Sequence, residues 1–183
     1  MLKSLQKSVQ LFFAGKQKIK AQHLGRIENL SDVSSTVLFF SINSVDELDN
    51  VRSLLNKKKK AAKLLTAYVF FPGYHNLDII TDKHIFLFNL SDFTLFAKMK
   101  DSLRAKVKEA SFELLISFVQ SPDPFCLRVI SEINAGFKVG VYQSNLASFY
   151  DFTINTDIKK LGFEKYYEQV ANYLGVLNIR NKQ

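Results

Sequence analysis

The strongest constraint on the fold is the segment Phe112–Tyr142, in which two short apolar runs flank a helical pattern. The first run, Phe112–Val119, is almost continuously apolar, which is typical of a strand buried on both faces of a parallel sheet. Asp123 as a cap and Pro124 at the first helical position predict that a helix begins here. Gly136 is predicted as its C-cap, before a second strand at Phe137–Tyr142. A helix between two strands implies parallel pairing through a right-handed crossover.

Similar apolar runs recur along the chain and alternate with helical patterns. Ser44 and Glu47 form a Ser-x-x-Glu capping box, which marks the start of the first helix after Thr36–Ile42. His84–Leu90 is either a third parallel strand or one strand of a hairpin. The other predicted strands are Thr36–Ile42, Leu64–Phe71 and Asp151–Asn155, and the other predicted helices are Ser91–Ala110 and Leu161–Leu177. This alternation predicts one α/β domain over residues 36–178, a three-layer sandwich with a mostly parallel, five- or six-stranded, Rossmann-like sheet.

Residues 1–30 are predicted to form a basic amphipathic helix followed by a linker. Apolar residues fall on one face of this helix, and lysines occupy the remainder; the apolar residues are Leu2, Leu5, Val9, Phe12 and Phe13. Three interpretations stay open: packing against the domain, peripheral contact with an anionic membrane, and contact with the phosphates of RNA. No apolar run reaches the roughly 18–20 residues that a transmembrane helix needs. The stretch also lacks the pattern of a signal peptide, and a single cysteine suits a reducing compartment, so we expect a cytoplasmic protein.

The formal net charge of +8 favours an anionic partner such as nucleic acid. The lysines predicted to contact such a partner lie in the N-terminal segment and at the end of the first helix; they are Lys16, Lys18, Lys20, Lys57 and Lys58. Lysines at the end of a helix also suit the negative end of the helix dipole. A solvated basic surface is therefore the alternative interpretation of the same residues.

Polar residues follow several of the predicted strands. In open α/β sheets, ligands bind beyond the carboxyl ends of the strands, where the strand order reverses. The residues predicted to bind a ligand there are Asn43, Ser44, His75, Asp92, Gln120 and Asp123. Several of them are equally well explained as helix caps and turn residues, which is the alternative for each.

The sequence lacks the motifs that identify a reaction. It contains neither a Gly-x-Gly-x-x-Gly nor a Gly-x-x-x-x-Gly-Lys-Ser/Thr loop, and no Gly-x-Ser-x-Gly elbow. We expect no metal site and no cofactor. The first hypothesis is a non-catalytic binding domain for an anionic or protein partner. The alternative is a small-molecule enzyme or sensor that binds a nucleotide or sugar phosphate at the strand ends.

Four stretches of the chain resemble an uncharacterised family of small, single-domain proteins from Bacteroidetes. They read ELLISF, SEINAGFKVGVYQ, YDFTIN and FEKYYEQVANYL in this sequence. The resemblance covers most of the chain from about residue 36. That family carries no assigned activity, so the resemblance implies a fold and little else.

A second, looser resemblance covers Glu113–Gly140. This segment is similar to part of the N-terminal domain of ADP-heptose-type glycosyltransferases, in which an apolar strand, a helix and a basic strand ending in Val/Ile-Gly recur. The corresponding pieces here are Leu114–Phe118, Phe125–Asn134 and Phe137–Gly140. The glycine–aspartate turn expected after the first strand is replaced by Ser44-Val45-Asp46. We therefore expect shared α/β architecture and not glycosyl transfer.

Overall fold

The chain folds into a three-layer α/β sandwich around a parallel sheet. A computed structural model describes residues 33–59, 64–73, 82–120, 124–144 and 147–179. Within these ranges, six strands form one sheet in which every neighbouring pair is parallel. The strands are β1 (Ser35–Ser41), β2 (Leu64–Phe70), β3 (Ile85–Phe88), β4 (Ser111–Ser117), β5 (Asn134–Val141) and β6 (Phe152–Ile154). The helices are α1 (Val45–Lys58), α2 (Asp101–Glu109), α3 (Pro124–Glu132), α4 (Ile158–Leu161) and α5 (Phe163–Ile179). The predicted fold class is confirmed.

The strand order is β3-β2-β1-β4-β5-β6, so the order reverses between β1 and β4. These two central strands pair in parallel with Leu38 opposite Ile116. Because all the strands run the same way, every carboxyl end lies at one edge of the sheet. Connections leave β1 and β4 in opposite directions, and a crevice is expected between them at that edge.

Helices cover both faces of the sheet. On one face, α1 and α5 pack against side chains that include Leu38 and Phe40. On the other face, α2 and α3 pack against side chains that include Val37 and Phe39. Successive residues of a strand point to opposite faces, so a strand buried on both faces is expected to be mostly apolar. This is why apolar residues dominate the strands of this chain, in which the buried polar residues are Thr36, Ser117 and Lys138.

The start of α1 confirms the Ser44 half of the predicted capping box. Ser44 is the N-cap residue, and its hydroxyl oxygen accepts a hydrogen bond from the backbone N–H of Glu47. The Glu47 carboxylate in turn accepts from the backbone N–H of Asn43, one residue before the cap. The first bond satisfies an N–H group that the first helical turn leaves without an intrahelical partner. The second departs from a capping box, in which Glu47 would accept the N–H of Ser44 itself.

Two sequence predictions about helix ends are wrong. Gly136 is not a C-cap, because α3 ends at Glu132 and Gly136 lies inside β5. A Cβ at Gly136 would lie only 3.2 Å from the carbonyl oxygen of Glu113, so glycine here permits close approach of β5 to β4. The helix predicted over Ser91–Ala110 is α-helical only in α2.

A short 3₁₀ turn, Leu90–Asp92, and a tight loop replace the first half of that predicted helix. The Asp92 carboxylate accepts the backbone N–H of Asn89 and therefore caps the 3₁₀ turn. Phe93 then pairs with Met99 in an isolated antiparallel bridge. The prediction of His84–Leu90 as a parallel strand is confirmed, since β3 is parallel to β2. The hairpin partner proposed as the alternative, in the loop before His84, lies outside the described residues. The predicted N-terminal helix and linker lie outside the described residues.

Candidate functional site

A cleft of about 970 Å³ opens at the carboxyl edge of the sheet. Its floor contains Ser41 and Asn43, which end β1 and begin the turn into α1, and residues 118–120, which follow β4. The cleft therefore lies where the strand order reverses, as expected for a ligand site in an open parallel sheet. We call it the switch-point cleft.

Two helical walls enclose the switch-point cleft. The first wall is one side of α1; its lining residues are Glu47, Asn50, Ser53, Leu54 and Lys57. These residues recur every three or four positions, which places them on one helical face. The second wall is α4 and the first turn of α5; its lining residues are Ile158, Lys159, Leu161, Gly162, Phe163, Glu164 and Lys165. The two walls belong to segments more than 100 residues apart in sequence.

Gln120 holds the second wall in place. Its Oε1 accepts the backbone N–H of Ile158 at 2.7 Å, and its Nε2 donates to the carbonyl oxygen of Thr156 at 3.4 Å. The segment after β6 is thereby tied to the end of β4. Gln120 lies in the predicted place, and its amide positions the wall of the cleft.

The side-chain carboxylate of Glu47, in the first turn of α1, binds the backbone of the turn from β1 into α1. Glu47 Oε2 lies 2.6 Å from the backbone nitrogen of Asn43, within a charge-assisted hydrogen bond. In dinucleotide-binding sheets of this strand order, the first βα turn and helix N-terminus hold the pyrophosphate. Here the Glu47 carboxylate, and not a phosphate, accepts the hydrogen bond of a backbone N–H in that turn.

Two of the predicted anion-contacting lysines are paired with acids of α5. Lys57 Nζ lies 2.6 Å from Glu164 Oε2, and Lys58 Nζ lies 3.1 Å from Glu168 Oε1. The hydrogen bond from Lys57 lowers the pKa of the Glu164 carboxyl below its ordinary value, and the charges of both lysines act in the same direction. The Lys58 ammonium also lies 5.5 Å from the centre of the Tyr167 ring. These pairs join the two walls of the cleft and partly neutralise the lysines.

The remaining predicted site residues do not gather at the cleft. Ser44 acts as the N-cap of α1, and Asp92 caps the turn after β3, which is an edge strand two positions away from β1. The others lie outside the described residues; they are His75, Asp123, Lys16, Lys18 and Lys20. For Ser44 and Asp92, the alternative interpretation as cap residues is confirmed.

Sequence reasoning missed Asn50, Ser53, Lys159 and Lys165, which all line the cleft. The pattern of α1 contained a signal for the first two. Its apolar stripe includes Leu54, and Glu47, Asn50 and Ser53 follow the border of that stripe at three-residue spacing. No comparable signal existed for the two lysines, because their place depends on how the segment after β6 returns to the centre of the sheet.

The described residues provide no metal centre and no membrane-spanning helix. No three His, Cys, Asp or Glu side chains of that part of the chain lie close enough together to hold a metal ion. No helix in the same ranges combines the length and the hydropathy needed to cross a bilayer. Cys126 is a buried thiol among the apolar side chains between α3 and the sheet, as expected of a core residue.

Comparison with known proteins identifies a family without an assigned activity. The model of a family of unknown function, DUF6913, matches residues 3–177. Neither the curated proteins nor the solved structures contain a match. The expected membership of an uncharacterised family is thus confirmed, while the resemblance to glycosyltransferases stays a prediction. The chain belongs to the DUF6913 family of unknown function.

Proposed function

We propose that this protein is a binding domain for a small polar ligand, which occupies the switch-point cleft. The observation that carries the proposal is the coincidence of an open cleft of about 970 Å³ with the reversal of strand order between β1 and β4. Parallel α/β sheets use this position for ligands because loops from both halves of the sheet converge there. The volume also falls within the roughly 300–1,000 Å³ range of ligand sites in proteins.

The lining favours a ligand rich in hydroxyl or amide groups, such as a sugar or a nucleoside. Asn43, in the turn before α1, and Asn50 and Ser53, on α1, are exposed and supply both donors and acceptors. Phe163 adds aromatic surface to the second wall, and Phe118, which is 4% exposed, packs beneath it in the floor. A mixture of neutral polar groups and aromatic surface suits a ligand that has polar edges and apolar faces.

The same lining disfavours a diphosphate at the β1–α1 turn. The Glu47 carboxylate already accepts the Asn43 N–H, and a second anion beside it would be repelled. The turn also lacks a glycine that would let a phosphate approach the backbone closely. We therefore propose a neutral ligand group at this end of the cleft.

A thermal-shift screen tests the proposal. The probes are methyl glycosides, adenosine, uridine and ADP, each added to the full chain in large excess. A ligand at 100 times its Kd stabilises the folded state by about 2.7 kcal/mol. This corresponds to a rise in Tm of roughly 5–11 °C for a domain of this size.

Two alanine variants localise the binding. Asn50→Ala with Ser53→Ala removes cleft side chains, whereas Asn172→Ala changes an exposed asparagine of α5 outside the cleft lining. We expect the double variant to lose the rise in Tm and Asn172→Ala to keep it. The proposal is contradicted if no neutral probe raises Tm, or if the double variant responds like the wild type.

The hypothesis of an anionic macromolecular partner has less support. Lys57 and Lys58, two of the lysines on which it rests, are paired with Glu164 and Glu168. A cytoplasmic location remains part of our proposal on the basis of the single cysteine. Salt-sensitive retention on heparin, lost when Lys16, Lys18 and Lys20 are replaced by glutamine, is the result that would restore that hypothesis.

A further inference from the structure

A tight loop after β3 presents two apolar side chains to solvent. Leu95 is 78% exposed and Phe96 is 75% exposed, the highest values among the large apolar side chains of the described residues. They are neighbours at the turn of the loop between Phe93 and Met99. We call Leu95 and Phe96 the apolar tip.

The base of the loop is fixed to the core. Phe93 is 6% exposed and packs against the Phe125 ring at a centroid distance of 5.0 Å. Met99, its bridge partner, is 1% exposed. These buried side chains hold the turn at a defined place on the surface. The exposure of the apolar tip is therefore a property of the folded domain.

The turn itself is closed by hydrogen bonds. The Ala97 N–H donates to the Thr94 carbonyl at 3.0 Å, and the Thr94 N–H donates to the Lys98 carbonyl at 2.9 Å. Ala97 adopts a φ of 56°, a left-handed conformation that is costly for a residue with a Cβ. Among the described residues it is the one non-glycine residue with a positive φ. Strained backbone that is held in place by its surroundings is most often found at functional sites.

The charges beside the apolar tip are positive. Lys98 and Lys100 follow it and are exposed, and no acidic residue occurs between Phe93 and Lys100. The carboxylates nearest in sequence are Asp92, which accepts the Asn89 N–H, and Asp101, in the first turn of α2. The Asp101 charge lies at the positive end of the α2 dipole, which offsets it.

We propose that the apolar tip inserts into the interface of an anionic lipid membrane while Lys98 and Lys100 contact the headgroups. Membrane binding of this kind scales with the apolar area buried plus the attraction between basic side chains and anionic lipid. A specific protein interface needs roughly 800 Å² from each partner, which is far more than two side chains at a turn provide. An anionic lipid surface is therefore the partner that suits a small apolar tip with lysines beside it.

Tryptophan fluorescence tests the proposal directly, because the chain contains no tryptophan. Phe96→Trp places a single probe at the apolar tip, and Val176→Trp places a control probe on α5, where Val176 is 51% exposed. The variants are mixed with vesicles of phosphatidylserine and phosphatidylcholine, with or without brominated acyl chains. We expect a blue shift and quenching by brominated lipid for Phe96→Trp alone. An unchanged emission from Phe96→Trp contradicts the proposal.

Co-sedimentation with the same vesicles separates the apolar tip from other contacts. Leu95→Ser with Phe96→Ser is expected to lower the partition coefficient of the full chain about tenfold or more. Lys98→Gln with Lys100→Gln is expected to lower it on phosphatidylserine vesicles and to reduce its dependence on salt. The substituted side chains are exposed, and thermal unfolding checks that each variant is folded.

Two further arms distinguish the alternatives. Val176→Ser is the matched control for an exposed apolar residue, and it should bind as the wild type does. Replacement of Lys16, Lys18 and Lys20 by glutamine tests the N-terminal segment. The proposal is overturned if the wild type does not bind the vesicles, or if binding depends on these three lysines and is insensitive to Leu95→Ser with Phe96→Ser.

Discussion

The ring of Tyr150 fills the space in which a side chain of residue 140 would lie. A Cβ at Gly140 would come within 2.6 Å of Tyr150 Cε1, closer than any real contact between such atoms. Tyr150 is 8% exposed, and its hydroxyl donates to Ser117 Oγ at 2.9 Å. The side chain of Tyr150 thus contacts β5 at Gly140 and β4 at Ser117. The residues that follow Ser117 form part of the floor of the switch-point cleft.

Gly140→Ala should destabilise the protein by about 1–3 kcal/mol, because the added methyl group overpacks this contact. Urea unfolding measures the change. Tyr150→Leu is the matched second substitution, since leucine lacks the distal ring atoms that the methyl group would meet. Adding Gly140→Ala to Tyr150→Leu should cost much less than adding it to the wild type. Equal costs in the two backgrounds would show that the ring is not the cause.

The hydrogen bond between Tyr150 and Ser117 should contribute to stability through its buried position. Burial raises the pKa of the Tyr150 hydroxyl well above its ordinary value, so the hydroxyl stays protonated and able to donate. Tyr150→Phe leaves the Ser117 hydroxyl without this partner and should cost about 1–2 kcal/mol. A double-mutant cycle with Ser117→Ala measures the coupling, which we expect to be about 1 kcal/mol. Additive effects of the two substitutions would contradict this account.

Lys138 should make stability depend on pH. It is 4% exposed, and its ammonium donates to the Ile130 carbonyl oxygen, in the last turn of α3, at 2.7 Å. Burial lowers the Lys138 pKa from 10.5 to about 8, against an opposing effect from the Asp151 carboxylate. Below pH 8 both the folded and the unfolded states carry the proton, and the cost of burying the charge is present in full.

Between about pH 8 and 10.5 the unfolded chain binds this proton and the folded chain does not, so the free energy of unfolding rises with pH. The rise amounts to about 3 kcal/mol at most. Tyr150 and Tyr166 oppose it above pH 10, since burial raises the pKa of both and only the unfolded state ionises there. The free energy of unfolding is measured against pH for the wild type and for Lys138→Met, which serves as the reference. The difference between the two pH profiles gives the contribution of the Lys138 side chain. Parallel profiles from pH 7 to 10 would contradict the prediction.

Glu47 should determine which ligands the cleft accepts. Glu47→Gln keeps an oxygen that can accept the Asn43 N–H but removes the charge, and it should cost about 1 kcal/mol or less in stability. We expect this variant to bind ADP about tenfold more tightly than the wild type, as judged by calorimetry, because the repulsion of the diphosphate is removed. Asp49→Gln, on α1 but outside the cleft lining, is the control for a general change in charge. Equal affinities in wild type and Glu47→Gln would show that the carboxylate does not exclude phosphate.

The sequence predicted the sheet well because its signals are local. Apolar runs such as Leu114–Ile116 and the helix start at Ser44 and Glu47 depend on neighbours along the chain. The helix predicted at Ser91 failed because Asp92 caps a 3₁₀ turn instead, and tertiary contacts of Phe93 fix the loop that follows. Propensity and spacing contain no information about such contacts.

The candidate site was only partly predictable, for a related reason. Asn43 and Gln120 were found because they directly follow strands that end at the switch point. Lys57 was predicted as a contact for an external anion, but Glu164 faces it from a segment 107 residues away. This pairing depends on the position at which α5 crosses the sheet. Strand order alone does not show that position.

Side-chain amide signals in a ¹H–¹⁵N NMR titration test the central claim most directly. Asn43, Asn50 and Gln120 each place an amide at the cleft, whereas Asn172 lies outside its lining. The titrant is the neutral probe that gives the largest rise in Tm in the thermal-shift screen. We predict saturable shifts of the three cleft amides and none for Asn172. A saturable titration that leaves the three cleft amides unshifted would contradict the account.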